Sequence, residues 1–137
     1  MKKFNIISVL FFLLFSFAFP QTQLGSDIDG EAANDESGVS ISMSSDGSRL
    51  AIGAPDNDGN GGNSGHVRVY EYANSAWTQL GADIDGEAAG DYSGWSVSMS
   101  SDGSRLAIGA ISNDGNGDAS GHVRVYLTNP GQVTFQP

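Results

Sequence analysis

Apolar and polar residues alternate with period two along several short stretches of this chain. Val39, Ile41 and Met43 alternate with Ser40, Ser42 and Ser44, and Trp95, Val97 and Met99 alternate with Ser96, Ser98 and Ser100. That spacing predicts a half-buried strand, because successive side chains in a strand point to opposite faces. Ser45-Asp46-Gly47-Ser48 follows as a tight turn, with Gly47 (and Gly103 in the second stretch) free to take positive φ. Leu50, Ile52 and Ala54 alternate again and predict a second strand pairing back as a hairpin. Gly53 inside it predicts a close backbone approach, since a side chain there would obstruct a neighbour. After a polar loop, Pro55 to Ser64, comes a third strand, His66 to Tyr72, with Val67 and Val69 on one face. The turn Ala73 to Ala76 leads to a fourth strand, Trp77 to Ile84. Beyond the first twenty residues no apolar stripe has helical spacing.

The pattern repeats. Ser42 to Ala54 returns unchanged as Ser98 to Ala110, an offset of 56 that also carries Gln23-Leu24-Gly25 to Gln79-Leu80-Gly81 and Gly65–Tyr70 to Gly121–Tyr126. About 40 of the 56 aligned positions are identical, so the chain is a tandem array. Four short antiparallel strands per repeat is the build of a propeller blade, and such a sheet needs neighbours to bury its faces. The expected fold is therefore all-β: two tandem four-stranded antiparallel blades of β-propeller type, forming an incomplete ring. Repeat 1 spans residues 21–76, and repeat 2 spans residues 77–137 with a C-terminal tail. Thr22 to Ile28 reads as a fourth strand without its own preceding three. Gln132 to Gln136 could substitute for the fourth strand of the second blade, although it does not match Trp77 to Ile84. Either several chains assemble into a ring, or this is a fragment of a longer array.

Residues 1–20 read as a signal peptide. Lys2 and Lys3 precede an apolar run, Ile6 to Phe19, too short for a stable membrane span, with cleavage after Ala18 and before Gln21 both open. The expected location is secreted, extracellular or at the cell surface. Cysteine is absent, so packing, strand pairing or bound ions must hold the fold. Beyond the signal, Arg49, Arg68, Arg105 and Arg124 stand against 16 acidic residues, a net charge of −12. Nucleic acids and anionic membranes both need clustered Lys/Arg, so neither is an expected partner. Divalent cations, cationic partners and plain solubility remain.

An up-and-down sheet places alternate loops at one end. The loop between strands two and three therefore shares a rim with the blade-joining loop. That rim carries Asp27, Asp29, Glu31, Asp35 and Glu36, and in the second copy Asp83, Asp85, Glu87 and Asp91. Asp27, Asp29, Glu31, Asp83, Asp85 and Glu87 are the candidate binding rim. Asp56, Asp58 and Asn60, at spacings of two and followed by Gly61, match the start of a calcium loop; Asp114 and Asn116 are the second-copy counterparts. The twelfth position is Val67 in place of a bidentate Glu, and the second copy opens with Ser112. Calcium ligation and ordinary Asp/Asn/Gly turn chemistry both stand as readings. His66 and His122, one per copy, read as structural residues donating a ring N–H to a backbone carbonyl. Arg68 and Arg124 are expected to pair with carboxylates, and Trp77 and Trp95 to pack between blades.

With Gly38-Val39-Ser40-Ile41-Ser42 and Gly53-Ala54-Pro55 identified, the unit resembles the FG-GAP repeat of integrin alpha-chain propellers and secreted bacterial proteins. The resemblance covers Thr22 to Tyr126. Ser37-Gly38 and Ser93-Gly94 stand where the family has Phe-Gly, and the second motif becomes Gly109-Ala110-Ile111 in the second copy. A WD40-like repeat is the competing match, but the Trp-Asp ending is missing. The resemblance implies a propeller used for binding or adhesion outside the cell. Family members that bind calcium do so between the first two strands. Here Ser45 to Ser48 is too short to wrap an ion wanting six to eight oxygens, so that site is not carried over. The expected function is a secreted, non-enzymatic module binding an extracellular protein or glycan, with calcium assisting. A purely structural fragment and a propeller-scaffold hydrolase or lyase are the alternatives, the last lacking any nucleophile–base–orienter arrangement.

Overall fold

The computed structural model describes residues 20–129 and 132–135; the signal segment lies outside the described residues, apart from Pro20. Two antiparallel sheets follow one another along the chain. The first contains β1 (Ser40–Met43), β2 (Arg49–Ala54), β3 (His66–Ala73), β4 (Ala76–Gln79) and β5 (Ile84–Asp85). It runs in the order β1-β2-β3-β4, with β5 pairing β3 beyond β4. The second contains β6 (Ser93–Met99), β7 (Arg105–Ala110), β8 (His122–Asn129) and β9 (Gln132–Phe135), again in chain order. The described chain holds no helix, and the two blades do not close into a ring. β9 is the substitute fourth strand anticipated at Gln132 to Gln136, pairing β8 through Tyr126↔Phe135 and Asn129↔Gln132.

The β1–β2 and β6–β7 hairpins turn where Ser-Asp-Gly-Ser predicts. Gly47 and Gly103 sit at φ +72° and +68°. Asp46 Oδ1 accepts from Ser44 Oγ (2.7 Å), Ser48 N (3.0 Å) and Ser48 Oγ (2.8 Å), and Asp102 repeats the arrangement. A carboxylate collecting three donors within five residues is stabilised in its charged form. These hydrogen bonds, Ser44 foremost, hold Asp46 at a pKa of about 2 and push Asp102 in the same direction.

Two strand expectations are corrected. Trp77 to Ile84 does not form one strand. β4 ends at Gln79; Leu80 N still donates to Val69 O (2.7 Å) with its side chain in the core (5% exposed), Gly81 adopts φ +80°, and strand pairing resumes at Ile84. Four residues, Leu80 to Asp83, stand between the pairs Tyr70↔Gln79 and Val67↔Ile84 where β3 offers only two, so the surplus must bulge out of the ladder. Thr22 to Ile28 is likewise not a strand. It lies against β4 through a side chain: Trp77 Nε1 donates to Leu24 O (2.9 Å), and Gly25 sits beside the indole at φ +75°. The segment nevertheless copies its repeat partner locally, since Gln23 Nε2 bonds Asp27 Oδ1 (2.7 Å) as Gln79 Nε2 bonds Asp83 Oδ1 (2.6 Å).

The blades stack face to face, with β6 lying on β1 and β2. Their shared core comprises Ala51, Val67, Val69, Leu80 and Ile84 from the first blade and Met99, Leu106, Ile108 and Tyr126 from the second. Gly53 is where the sheets come closest. A Cβ there would overlap the Gly94 carbonyl oxygen and Ser40 Oγ, the close approach its place in the strand predicts. Polar groups lock the seam: Ser40 Oγ donates to Gly94 O (2.6 Å), Met99 N to Ser42 Oγ (2.9 Å), and Ser45 N to Ser101 O (2.9 Å). Arg49 Nη1 reaches across to Gly103 O (3.0 Å) and Thr128 O (2.8 Å).

Repetition makes the outer faces copies of the inner ones. Ile41 (66% exposed) and Met43 occupy on the open face of blade one the places that Val97 and Met99 hold in the seam. Val123 (67% exposed) and Val125 on the open face of blade two correspond to Val67 and Val69, both fully buried. Each open face is thus a copy of the other blade's seam face.

Candidate functional site

The two acidic loops do share one edge, and they are joined there. Gly90 N donates to Gly62 O (2.9 Å), Tyr92 N to Asn63 O (3.1 Å), Ser93 N to Ser64 O (3.0 Å) and Gly86 N to Gly65 O (2.8 Å). The proposed calcium ligands take part in this scaffold. Asp58 Oδ1 accepts from Asn63 N (2.8 Å), and Asn60 Nδ2 donates to the carbonyls of Gly86 (2.8 Å) and Glu87 (3.2 Å). Asp114 Oδ1 accepts from Ala119 N (2.7 Å), Asn116 donates its backbone N–H to Ser120 Oγ (3.3 Å), and Asp56 is half-buried at the loop's start. Asn60 therefore turns its amide nitrogen, not an oxygen ligand, toward the neighbouring loop.

Two rim acids are not on the surface at all. Asp35 and Asp91 are buried, and each anchors an asparagine of the Asp/Asn/Gly loop: Asn57 Nδ2 to Asp35 Oδ2 and Asn113 Nδ2 to Asp91 Oδ2, both 2.9 Å. Each carboxylate also accepts a backbone N–H three residues earlier, from Ala32 and Ala88 (3.1 Å each). The signal for this pair was present in the sequence, since Asn57 and Asp35 recur at Asn113 and Asp91 while Asp56 does not recur.

The remaining rim residues gather around β3. Asp27, Asp29, Glu31, Asp85 and Glu87 are exposed and Asp83 is half-buried. Arg68 pairs as expected, with Nη1 3.7 Å from Glu31 Oε1 and Nη2 donating to Asp29 O (3.1 Å); Arg124 pairs with Glu87. His66 is buried (1% exposed), and its Nδ1 faces Glu31 Oε2 at 3.7 Å and Asp83 Oδ2 at 3.8 Å. Where a backbone carbonyl was expected for this ring, the structure places two carboxylates. In the second copy His122 Nδ1 keeps the first of them, Glu87 Oε2, at 3.7 Å. Neighbouring Tyr70 has its pKa raised, first by burial; Arg68 opposes the shift, and Asp83 and Glu31 add to it. The sequence names all three members of the Glu31–His66–Asp83 group but not their meeting, which needs the blade-joining loop, β3 and the bulge after β4 together.

Beside this group lies a cavity of about 460 Å³ between the segment Gly25–Asp29 and the blade. Asp27 and Asp29 line it together with Tyr70 and Trp77. Trp77 does not pack between blades: its ring lies 5.1 Å from that of Tyr72 within one blade, tilted by 54°. Trp95 stays half-exposed, edge-on to Tyr92 at 6.3 Å.

No match was found among curated proteins. The FG-GAP repeat matches twice in tandem, at residues 27–70 and 82–126. Both matched segments begin in the blade-joining region and end at the tyrosine of the third strand, so each coincides with one loop-and-sheet unit of the structure. The chain belongs to the FG-GAP repeat family, and its two units are β-propeller blades.

Proposed function

We propose that this chain is a secreted, non-enzymatic propeller module that binds an extracellular glycan or protein through the acidic rim. FG-GAP repeats occur in extracellular and surface proteins in general, and the apolar run after Lys2 and Lys3 supports export. The observation that carries the binding reading is the cavity in which Asp27 and Asp29 meet Tyr70 and Trp77. Carboxylates that accept hydroxyl protons beside an aromatic face suit a polyhydroxylated ligand, and the concavity has the volume of a small-ligand site. Calcium binding is part of this reading, with Asp56, Asp58 and Asp114 of the Asp/Asn/Gly loops as the carboxylate donors.

A glycan array probed with the full chain, with and without calcium, tests the proposal. Binding that falls at least tenfold in Asp27→Asn/Asp29→Asn supports it, and binding indifferent to that double change refutes the cavity as the site. Calorimetry with calcium on Asp58→Ala and the parent tests the ion separately; equal heats remove Asp58 from it.

Partners also include a second copy of the chain. The open faces carry the same residues as the buried seam, so a head-to-tail stack would reuse contacts already made once within the chain. Light scattering at rising concentration reads this directly. In a stack, Gly109 would take the place Gly53 holds in the seam, so Gly109→Ala should block association; a chain that stays monomeric throughout refutes self-assembly.

A further inference from the structure

We propose that Glu31, His66 and Asp83 form a site for a divalent ion of the zinc class, separate from the Asp/Asn/Gly loops. Among the described residues these three bring one carboxylate oxygen each and an imidazole nitrogen within 4.8 Å of one another. The distances from Nδ1 to Glu31 Oε2 and Asp83 Oδ2, 3.7 and 3.8 Å, are too long for hydrogen bonds. They are also too short for a bridging water, which holds its two partners roughly 4.5 Å apart in good geometry. A cation fits the gap. At about 2.1 Å from nitrogen and oxygen it would see them at roughly 120–130°, and a closure of about 0.3 Å reaches the tetrahedral value.

Two independent features point the same way. First, the His66 side chain is almost wholly buried (2% exposed), yet Nδ1 is aimed at the space between the carboxylates with no acceptor at hydrogen-bond distance on either. Its contacts there are two long ion-pair distances, and a cation seated between the three groups would replace both with direct ligand bonds. Second, each carboxylate is held from behind. Arg68 Nη1 lies 3.7 Å from the other oxygen of Glu31, and Gln79 Nε2 donates to the other oxygen of Asp83 (2.6 Å). That leaves Oε2 and Oδ2 turned inward. Metal sites orient their ligands by such outer contacts.

The donor set selects the ion. Calcium wants six to eight oxygens, whereas imidazole with carboxylates suits zinc and its borderline neighbours. Glu31 and Asp83 keep 46% and 27% of their side-chain surface exposed, so solvent can supply a fourth ligand and the ion has a way in. The second blade holds only part of the set, Glu87 with His122, whose side chain is 28% exposed. One strong site per chain is therefore expected.

Calorimetry of the full chain with Zn²⁺ in metal-free buffer tests this, alongside Co²⁺ as a spectroscopic probe. The expected result is one Zn²⁺ per chain, undiminished by millimolar Ca²⁺, and visible Co²⁺ absorption of four- or five-coordinate type. Glu31→Gln at an exposed position and Asp83→Asn at a half-buried one keep side-chain shape and should each weaken Zn²⁺ by tenfold or more. His66→Gln should abolish the Co²⁺ spectrum, and His122→Gln should leave both signals unchanged. At a hundredfold excess over Kd, Zn²⁺ should raise the melting midpoint by about 10 °C. No zinc heat in the folded parent would overturn the proposal, leaving a histidine ion-paired with two acids. So would zinc binding that survives both Asp83→Asn and Glu31→Gln. A parent chain that binds zinc but no glycan, or whose glycan binding is indifferent to Asp27→Asn/Asp29→Asn, would count against the rim reading alone.

Discussion

Replacing Gly53 by alanine isolates the contact on which blade stacking rests, because the second repeat supplies an internal control. Both Gly53 and Gly109 lie mid-strand with no positive φ, so alanine meets no backbone strain at either. At both, a Cβ would crowd the hydroxyl of the paired serine, Ser40 or Ser96, which can rotate away. Only at Gly53 does it also overlap the Gly94 carbonyl oxygen and approach Gly94 C at 3.0 Å. Those are backbone atoms of the other blade, fixed in its hairpin, so β6 must lift off β1 and β2. Overpacking a core costs about 1–3 kcal/mol even when side chains can adjust. Here a main chain must move and the Ser40–Gly94 hydrogen bond goes with it, so we expect about 3–4 kcal/mol. Gly109→Ala should fall between about 1 kcal/mol destabilising and slightly stabilising, since alanine is preferred to glycine inside a strand by about 0.5–1 kcal/mol. Thermal melts at low micromolar concentration, followed by tryptophan fluorescence, should show Gly53→Ala lower by about 10–20 °C and Gly109→Ala close to the parent. Equal midpoints for the two variants would refute the seam as described.

Three further outcomes follow from the same geometry. Arg49→Ala removes a cation that donates across the seam to Gly103 O and Thr128 O, and should cost about 2–3 kcal/mol in urea denaturation, whereas Arg105→Ala, at the exposed equivalent, should stay within about 0.5 kcal/mol. Asn57→Ala leaves the buried Asp35 carboxylate without its side-chain donor and should lower stability by about 1–3 kcal/mol; the same loss at Asn113→Ala would show that both blades use the device. Asp46 has a folded pKa depressed to about 2 from 3.8, so its contribution is present above pH 4 and lost as pH falls toward 2. Asp46→Asn should therefore flatten the acid limb of pH-dependent melts as pH falls from about 4 through the folded pKa near 2.

The alternation of Val39, Ile41 and Met43, its return at Trp95, Val97 and Met99, and the Ser-Asp-Gly-Ser turns were enough to determine blades, hairpins and family. Period and turn chemistry are local properties, and a 56-residue identity shows them twice. Even Gly53 announced a close approach, because a strand interior has few other uses for glycine. What the sequence left undecided lies between segments. Thr22 to Ile28 has the letters of a strand but no ladder to join. Trp77 to Ile84 gives up its regularity because four of its residues stand opposite two of β3. Asp35 and Asp91 look like rim charges until folding places an asparagine over each. The Glu31–His66–Asp83 group draws on three stretches whose distances along the chain bear no relation to their distances in space. Alternation shows which side of a strand is greasy; only the packed sheets decide what that side touches, and which carboxylate ends beside which ring.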